Sequence, residues 1–429
     1  MISGLISRAR SSGLLQGSAW ILIGLGIQAS LGFVFWLLGA RVATSSELGQ
    51  ASALFTAIQF VNYASGLGLT VALARHATLQ TRESDSLFGW AVIATLVSSV
   101  IGGTAYLALS DTSATELVRG SVGGWALFCA YTVGTSIGLL VDVRLMAARR
   151  WRWLVGRLAL AASIRLPLVL IDVGIDPALW LYHLMLAPLA LVGVLSVPLL
   201  GRMGAGGINW RRPATLGVVA RYSGVNWVAT LSSQAPQFVL PLVVAQSVLP
   251  SINASFFLAW TVTGLVFLVP AAIAQVLLVE GGKDAQVAEA TGAVGQERAR
   301  EALVFSLGLA TVAWLVSLVL GPLVAAIFGS DYDRLARLLP TLMFAGIPWA
   351  ITSIRLSEAR IRKDQAATVA ITLTLGIAIL VPTLVFVPHG GTRAATTAFI
   401  LGNLAGAVVA MAMHERWRRS GQHSLASVT

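Results

Sequence analysis

The fold class of this chain is decided by residues 303–328, which read LVFSLGLATVAWLVSLVLGPLVAAIF. The run contains no charged side chain over 26 residues. At 1.5 Å per residue, a helix of this length crosses the hydrocarbon core of a bilayer, which is about 30 Å thick. Barrel strands alternate polar and apolar residues, and this run does not. The stretch is therefore predicted to be a transmembrane helix.

Similar runs recur along the whole chain. Of its 429 residues, 56% are hydrophobic and only 11% are charged, and the mean hydropathy is +0.81. Windows of roughly 20 residues predict twelve spans. They cover residues 18–39, 51–73, 87–109, 122–143, 154–171, 178–200, 225–245, 254–279, 303–328, 335–354, 367–387 and 394–413. The predicted fold class is all-α, a polytopic membrane protein of about 12 transmembrane helices.

Several kinds of chemistry are not indicated. Cys129 is the single cysteine, so an internal disulfide is excluded, and the five histidines lack metal-ligand spacing. No P-loop motif is present, so the chain is not expected to hydrolyse ATP. The basic N-terminal stretch MISGLISRAR has no small-residue cleavage pattern and is predicted to be retained. We expect no cofactor and no metal.

The basic residues predict the orientation. With the N-terminus inside, the inner segments hold 23 Lys and Arg residues and the outer segments hold five. Both termini are therefore predicted to lie in the cytoplasm, with the chain in the inner (plasma) membrane. The net charge of +11 is scattered as short clusters beside membrane ends, where anionic lipid headgroups meet them, and does not indicate nucleic-acid binding.

The chain is predicted to consist of two six-span halves. Residues 201–213, GRMGAGGINWRRP, interrupt the apolar pattern and divide residues 1–205 (spans one to six) from 206–429 (spans seven to twelve). GSAW and GVNW open the two halves, which indicates parallel repeats with substrate sites between them. In the second half, residues 281–302 form a hydrophilic segment that is predicted to be either a cytoplasmic surface helix or a solvated connector.

One charge lies deep inside a predicted span. Residues 162–169 read ASIRLPLV, and Arg165 comes about twelve residues after the cytoplasmic start of span five, roughly 18 Å along a helix. An arginine at this depth normally faces a watery cavity or a partner. One interpretation is that Arg165 grips an anionic headgroup. The other is that it pairs with helix-end carbonyls or with Asp142 and is structural. Both stay open.

Polar stripes indicate a wet interior. In span seven the stripe consists of Asn226, Thr230, Gln234 and Gln237, and span two repeats it with Gln59 and Asn62. Amides and hydroxyls at this spacing suit a sugar, and they are equally used for hydrogen bonds between membrane helices. Spans one and two contain no Asp or Glu, which argues against a cation-coupled drug antiporter.

Two stretches carry a resemblance to a known family. Residues 40–75, ARVATSSELGQASALFTAIQFVNYASGLGLTVALAR, and 327–340, IFGSDYDRLARLLP, resemble polysaccharide and oligosaccharide-lipid flippases of the multidrug/oligosaccharidyl-lipid/polysaccharide exporter superfamily. The family implies a V-shaped pair of six-helix lobes that alternately opens inward and outward. It also implies a cargo, a polyprenyl-diphosphate-linked oligosaccharide moved from the inner to the outer leaflet for cell-surface polysaccharide synthesis.

The resemblance gives the predicted site residues their roles. Arg75 and Arg355 at the mouth would attract the diphosphate, Arg165 would receive it at depth, and the amide stripes would hold the sugar. Glycan polymerase or glycosyltransferases of the same pathway would be partners. A multidrug or small-metabolite exporter of the same superfamily is the alternative. A membrane glycosyltransferase is disfavoured because every outer loop is too short for a catalytic domain; we do not expect an enzyme.

Overall fold

The computed structural model describes residues 13–76, 82–287, 294–362 and 364–426, and within these ranges the regular secondary structure is helical. In chain order the helices are α1 (Gly13–Val42), α2 (Ser45–Ser65), α3 (Leu69–His76), α4 (Arg82–Leu109), α5 (Ser113–Arg119), α6 (Val122–Ala147), α7 (Trp151–Leu168), α8 (Pro177–Leu199), α9 (Leu216–Ser247), α10 (Pro250–Val287), α11 (Val294–Phe328), α12 (Asp333–Phe344), α13 (Gly346–Ile361) and α14 (Gln365–Ala426). The predicted all-α class is confirmed.

Seven helical segments of the described residues are long and apolar enough to cross a membrane. They are Arg82–Leu109, Val122–Ala147, Pro177–Leu199, Pro250–Ala274, Arg298–Phe328, Ser330–Ile361 and Gln365–Arg419. Helix α7 is not among them because its 18 residues include Arg152, Arg157 and Arg165. On α11, apolar side chains such as Val319 and Leu323 stay exposed, as expected for a surface that faces lipid.

Span two is divided into α2 and α3 by a left-handed turn. Leu67 has φ 48° and Gly68 has φ 66°, a region that costs a residue with a Cβ atom. A Cβ at Gly68 would lie 2.3 Å from the carbonyl oxygen of Ser223 on α9. Two side chains of α9 satisfy the carbonyls freed by the break: Ser223 Oγ donates to Leu67, and Trp227 Nε1 donates to Ala64 at 2.8 Å. The break and α9 therefore stabilise each other.

Two further predicted spans are also interrupted. Span ten is formed by α12 and α13, which meet at Ala345. Helix α14 contains Gly391 at φ 55° and ψ −140°, a non-helical conformation that separates predicted spans eleven and twelve. Glycine adopts this backbone conformation readily because it has no Cβ atom; other residues rarely do.

The chain divides into two compact units, Met1–Ala254 and Ser255–Thr429. In the first unit, α4, α6 and α7 share a buried core with the segment that follows α8; its members include Phe88, Val141, Leu154 and Leu200. The second unit has a smaller buried cluster around Ile354. Helix α9 packs on α2 and α3 within the first unit. The sequence division at residues 205/206 stays a prediction.

The predicted connector at 281–302 is entered by helix from both sides. Helix α10 continues to Val287, and α11 begins at Val294. Residues 288–293 lie outside the described residues, as do the side chains of 281–297. The choice between a surface helix and a solvated connector therefore stays a prediction for the central residues.

Candidate functional site

Arg165 is enclosed by three helices of the first unit. It lies on α7 with 1% of its surface exposed. Its Nη1 atom is 2.6 Å from Sδ of Met185 on α8, and its guanidinium carbon lies 5.1 Å from the ring centre of Phe35 on α1. Gly32 of α1 also lies beside the guanidinium, since a Cβ there would be 3.6 Å from Nη2, an ordinary contact distance. The buried Nε atom has no hydrogen-bond partner among the described residues.

The charge of Arg165 is compensated only weakly. A ring face attracts a cation by about 0.5–2 kcal/mol, and a thioether sulfur is a weak acceptor. No carboxylate of the described residues forms an ion pair with it. Arg165 lies in the last turn of α7, and burying a charge without an ionic partner is energetically costly. Arg165 is thus an energetically costly cation that is not neutralised within the described structure.

Asp142, which the sequence offered as a partner for Arg165, pairs with a different arginine. Its carboxylate accepts a hydrogen bond from Arg157, which precedes Arg165 on α7 by about two helical turns. Arg157 also donates to the carbonyl oxygen of Gly138 at 3.1 Å. The structural interpretation of a buried arginine therefore holds for Arg157. For Arg165, the contacts are an aromatic ring and a sulfur atom.

Arg355 is neutralised within the second unit. It is 6% exposed and donates from Nη1 to Glu358 Oε2 at 2.8 Å. The same carboxylate lies 3.5 Å from Nη2 of Arg362 and 3.2 Å from Nδ1 of His414. Glu358 is thus the centre of a buried charge cluster. The proposed attraction of a diphosphate by Arg355 stays a prediction. The Glu358 carboxylate weakens the positive field of Arg355 and therefore its attraction for an anion.

The Asp364 carboxylate joins the start of α14 to Trp417, which lies toward the C-terminal end of the same helix. Its Oδ1 atom accepts from the backbone amide of Ala367 and its Oδ2 atom from Trp417 Nε1, both at 2.9 Å. These two hydrogen bonds stabilise the charged form and hold the pKa of the Asp364 carboxyl below its ordinary value. The Trp417 ring also lies 5.1 Å from the Arg362 guanidinium.

Of the predicted amide stripes, one side chain is hydrogen-bonded to a neighbouring helix and three are at least partly exposed. Asn62 is buried and bridges α2 to α6, donating to Thr135 Oγ1 and accepting from Ser136 Oγ, both at 2.9 Å. Gln59 is half-buried, and Gln234 and Gln237 are exposed. Two predicted site residues, Asn226 and Arg75, have side chains outside the described residues, as does Thr230.

An aromatic contact that the sequence analysis missed lies between α2 and α9. The rings of Tyr63 and Phe238 stack at 4.6 Å with an interplanar angle of 26°, and Tyr63 Oη donates to the Leu231 carbonyl. Tyr63 follows Gln59 by four residues, and Phe238 follows Gln234 by four, so each ring shares a helix face with a predicted amide. We call Gln59, Tyr63, Gln234 and Phe238 the α2–α9 seam. This four-residue spacing from Gln59 and Gln234 is the sequence feature that could have predicted that the two rings lie on the polar faces.

Comparisons with known proteins place the fold. No protein-family model matches the chain, and no curated protein matches its sequence. Among solved structures, the lipid II flippase MurJ in an inward closed conformation matches with a TM-score of 0.73 at 12% identity, over 92% of this chain and 87% of that one. An inward-facing multidrug resistance MATE family transporter of the MOP superfamily matches with a TM-score of 0.69 at 16% identity, over 92% and 96%. A MOP superfamily transporter from Pyrococcus furiosus matches with a TM-score of 0.62 at 15% identity, over 95% of each chain. The chain shares the all-α fold of these membrane proteins.

Proposed function

We propose, from this shared fold, that the chain is a flippase that moves a polyprenyl-diphosphate-linked oligosaccharide from the inner to the outer leaflet for cell-surface polysaccharide synthesis. The observation that carries the proposal is Arg165. It is a buried cation in the last turn of α7 that forms no ion pair with a described carboxylate. A diphosphate that enters the first unit would provide the negative charge that this side chain lacks.

The chemistry of Arg165 fits an anionic cargo. Its guanidinium presents planar donors that match phosphate oxygens. A contact with cargo requires that α1 move away from α7, because Phe35 and Gly32 of α1 cover the side chain. An inside-negative membrane potential would then favour outward movement of an anion by about 2.3 kcal/mol per charge per 100 mV.

The α2–α9 seam is the proposed contact for the sugar. Gln59 and Gln234 offer neutral donors and acceptors, and Tyr63 and Phe238 offer apolar faces on which a sugar ring can pack. Gln237 lies exposed on the same helix as Gln234. Asn62 contributes by fixing α2 against α6, since its amide is already bonded.

A multidrug or small-metabolite exporter is the second candidate. Two observations favour it: the fold is shared with a multidrug resistance MATE family transporter, and the stacked Tyr63–Phe238 pair is suited to a planar aromatic cargo. The described ion pairs count against a cationic drug, because Asp142 and Glu358 are already paired with arginines.

The test is complementation of a deletion strain with wild type, Arg165→Lys or Arg165→Met. Surface glycan and lipid-linked precursor are measured at matched protein level. We expect Arg165→Met to lower glycan at least tenfold and to raise precursor on the inner leaflet, with partial rescue by Lys. Arg418→Gln, which changes an exposed arginine 3.5 Å from Glu415, is the matched control and should behave as wild type.

Two results would contradict the proposal, in whole or in part. If deletion of the chain changes neither glycan nor precursor, the cargo is different and drug susceptibility of the deletion strain becomes the next measurement. If deletion does lower glycan but Arg165→Met supports full output, the role assigned to Arg165 is wrong and the flippase activity depends on other residues.

A further inference from the structure

An exposed Trp-Arg-Arg sequence lies in the segment between α8 and α9. Trp210 is 58% exposed, and Arg211 and Arg212 are exposed beside it. The three residues, with the buried Pro213 that follows, form a short loop that we call the WRR loop (residues 210–213).

The base of the WRR loop is fixed on α4. On its N-terminal side, the backbone amide of Asn209 donates to the Asp85 carbonyl at 3.2 Å, and Asn209 Oδ1 accepts from the amide of Arg211 at 3.0 Å. On its C-terminal side, Thr215 donates from its amide and its hydroxyl to Glu83 Oε1 at 3.0 and 2.9 Å. The loop is therefore held at both ends by the first turn of one helix.

Close packing also fixes the loop. A Cβ at Gly89 of α4 would lie 2.6 Å from the Asn209 carbonyl oxygen and 3.3 Å from the Trp210 ring. Glycine at this position lets the segment lie directly on α4. The tryptophan is consequently held by packing along one edge of its ring while more than half of its surface stays exposed.

The nearby acids are already engaged. Asp85 Oδ1 accepts from the amide of Gly207 at 3.1 Å and from the guanidinium of Arg144. Glu83 is bonded to Thr215. Among the described residues, no carboxylate forms an ion pair with Arg211 or Arg212. Both guanidinium groups therefore keep their full charge for an external ligand.

The same end of the first unit carries more groups of this type. Arg150 Nε donates to the Gly204 carbonyl at 3.1 Å, which joins the α6–α7 turn to the segment that bears the WRR loop. Trp153, at the start of α7, is 51% exposed. Further exposed cations here include Arg82, Arg149, Arg152 and Arg202. By the distribution of basic residues, this is the side predicted to be cytoplasmic.

We propose that the WRR loop is a binding surface for anionic phospholipid headgroups. Indole rings settle at the interface between headgroups and acyl chains, and paired guanidinium groups bind phosphate oxygens. Because α4 holds the loop in place, little conformational entropy is lost on binding. Basic residues near an anionic surface are attracted to it, so the loss of two arginines should be measurable. The proposal does not depend on which cargo the chain moves.

The test measures lipid preference of the full-length chain in detergent. Bound phosphatidylglycerol and phosphatidylcholine of identical acyl chains are counted by native mass spectrometry after competition. We expect Arg211→Gln/Arg212→Gln to lower the phosphatidylglycerol to phosphatidylcholine ratio at least threefold and Arg211→Lys/Arg212→Lys to retain most of it. The matched control is Arg418→Gln/Arg419→Gln, whose arginines are exposed and lie 3.5 and 3.3 Å from Glu415; it should keep the wild-type ratio.

Three outcomes would overturn the proposal. One is an unchanged ratio in the Gln variant at an unchanged unfolding temperature. A second is an equal loss of both lipids, which indicates a change in apolar contact rather than in headgroup recognition. The third is the same loss in the control, which would assign the preference to net charge. If the double variant does not fold, Trp210→Ala serves instead and should lower binding of both lipids while the wild-type arginines keep the ratio above one.

Discussion

Two arginines on the same helix, α7, are buried for different physical reasons. Arg157 and Arg165 are 8% and 1% exposed. Arg157 forms an ion pair with Asp142 and donates to a backbone carbonyl, so its burial is compensated. Arg165 is placed against a thioether and an aromatic ring. The comparison teaches that burial by itself says little about the role of a charge; what matters is whether the surrounding helices neutralise it.

The largest expected effect comes from breaking the compensated pair. Arg157→Met leaves the largely buried Asp142 carboxylate, whose side chain is 14% exposed, without its cation. We expect the free energy of unfolding of the first unit to fall by about 3–5 kcal/mol. Reversible unfolding of the purified chain in mixed detergent micelles measures this. A loss below about 1 kcal/mol would show that the pair contributes no more than a surface ion pair.

The matched double variant sharpens that result. Arg157→Met/Asp142→Leu removes both charges and should recover most of the lost stability, because neither side chain is then left uncompensated. If the double variant is as unstable as the single one, the altered packing around the substituted side chain on α7 is responsible rather than the ion pair.

The next effect has the opposite sign. Arg165→Met replaces an uncompensated cation by a flexible apolar side chain beside Met185, and we expect the free energy of unfolding to be unchanged or raised by about 1–4 kcal/mol. The same unfolding measurement applies. A rise in stability together with a fall in glycan output would show that the charge of Arg165 is functional rather than structural. A loss of stability as large as that of Arg157→Met would show that the two arginines have the same structural role.

The smallest effect concerns a carboxylate that solvent reaches. Hydrogen bonds from Ala367 and Trp417 lower the pKa of Asp364, so its contribution to stability is present above its ordinary pKa and is lost as the pH falls through the lowered value. We expect the unfolding temperature of the wild type to decrease more than that of Asp364→Asn when the pH is lowered below about 4. Parallel curves for the two proteins would contradict the assignment.

The all-α class could be predicted from the sequence, and the partners of the buried charges could not. Uncharged runs such as residues 303–328 locate helices directly. In lipid the backbone N–H and C=O groups can form hydrogen bonds only with other backbone groups, and a helix achieves this within one segment. The spacing of Asn62 and Gln59 predicted a polar face of α2, but whether an amide faces cargo or a neighbouring helix depends on packing. Asn62 is bonded to α6.

Partner choice depends on rotations of whole helices. Asp142 is nearer in sequence to Arg157 than to Arg165, but in a hairpin of two helices the sequence allows either arginine to contact it. A rotation of α7 by part of a turn decides which one contacts it. No local pattern in the sequence encodes that rotation. Glu358 and Arg355 are different, since three residues separate them on one helix and this spacing predicts their contact.

The left-handed turn that divides span two has a consequence for biosynthesis. Its carbonyls at Leu67 and Ala64 are satisfied by Ser223 and Trp227, residues that a ribosome adds 156 and 163 positions later. Until they enter the membrane, the nascent chain carries two backbone acceptors without these donors, in lipid or in contact with the insertion machinery. The second span therefore cannot reach its final conformation before the seventh is inserted, and a chain that stops after six spans is expected to be recognised by quality-control proteases.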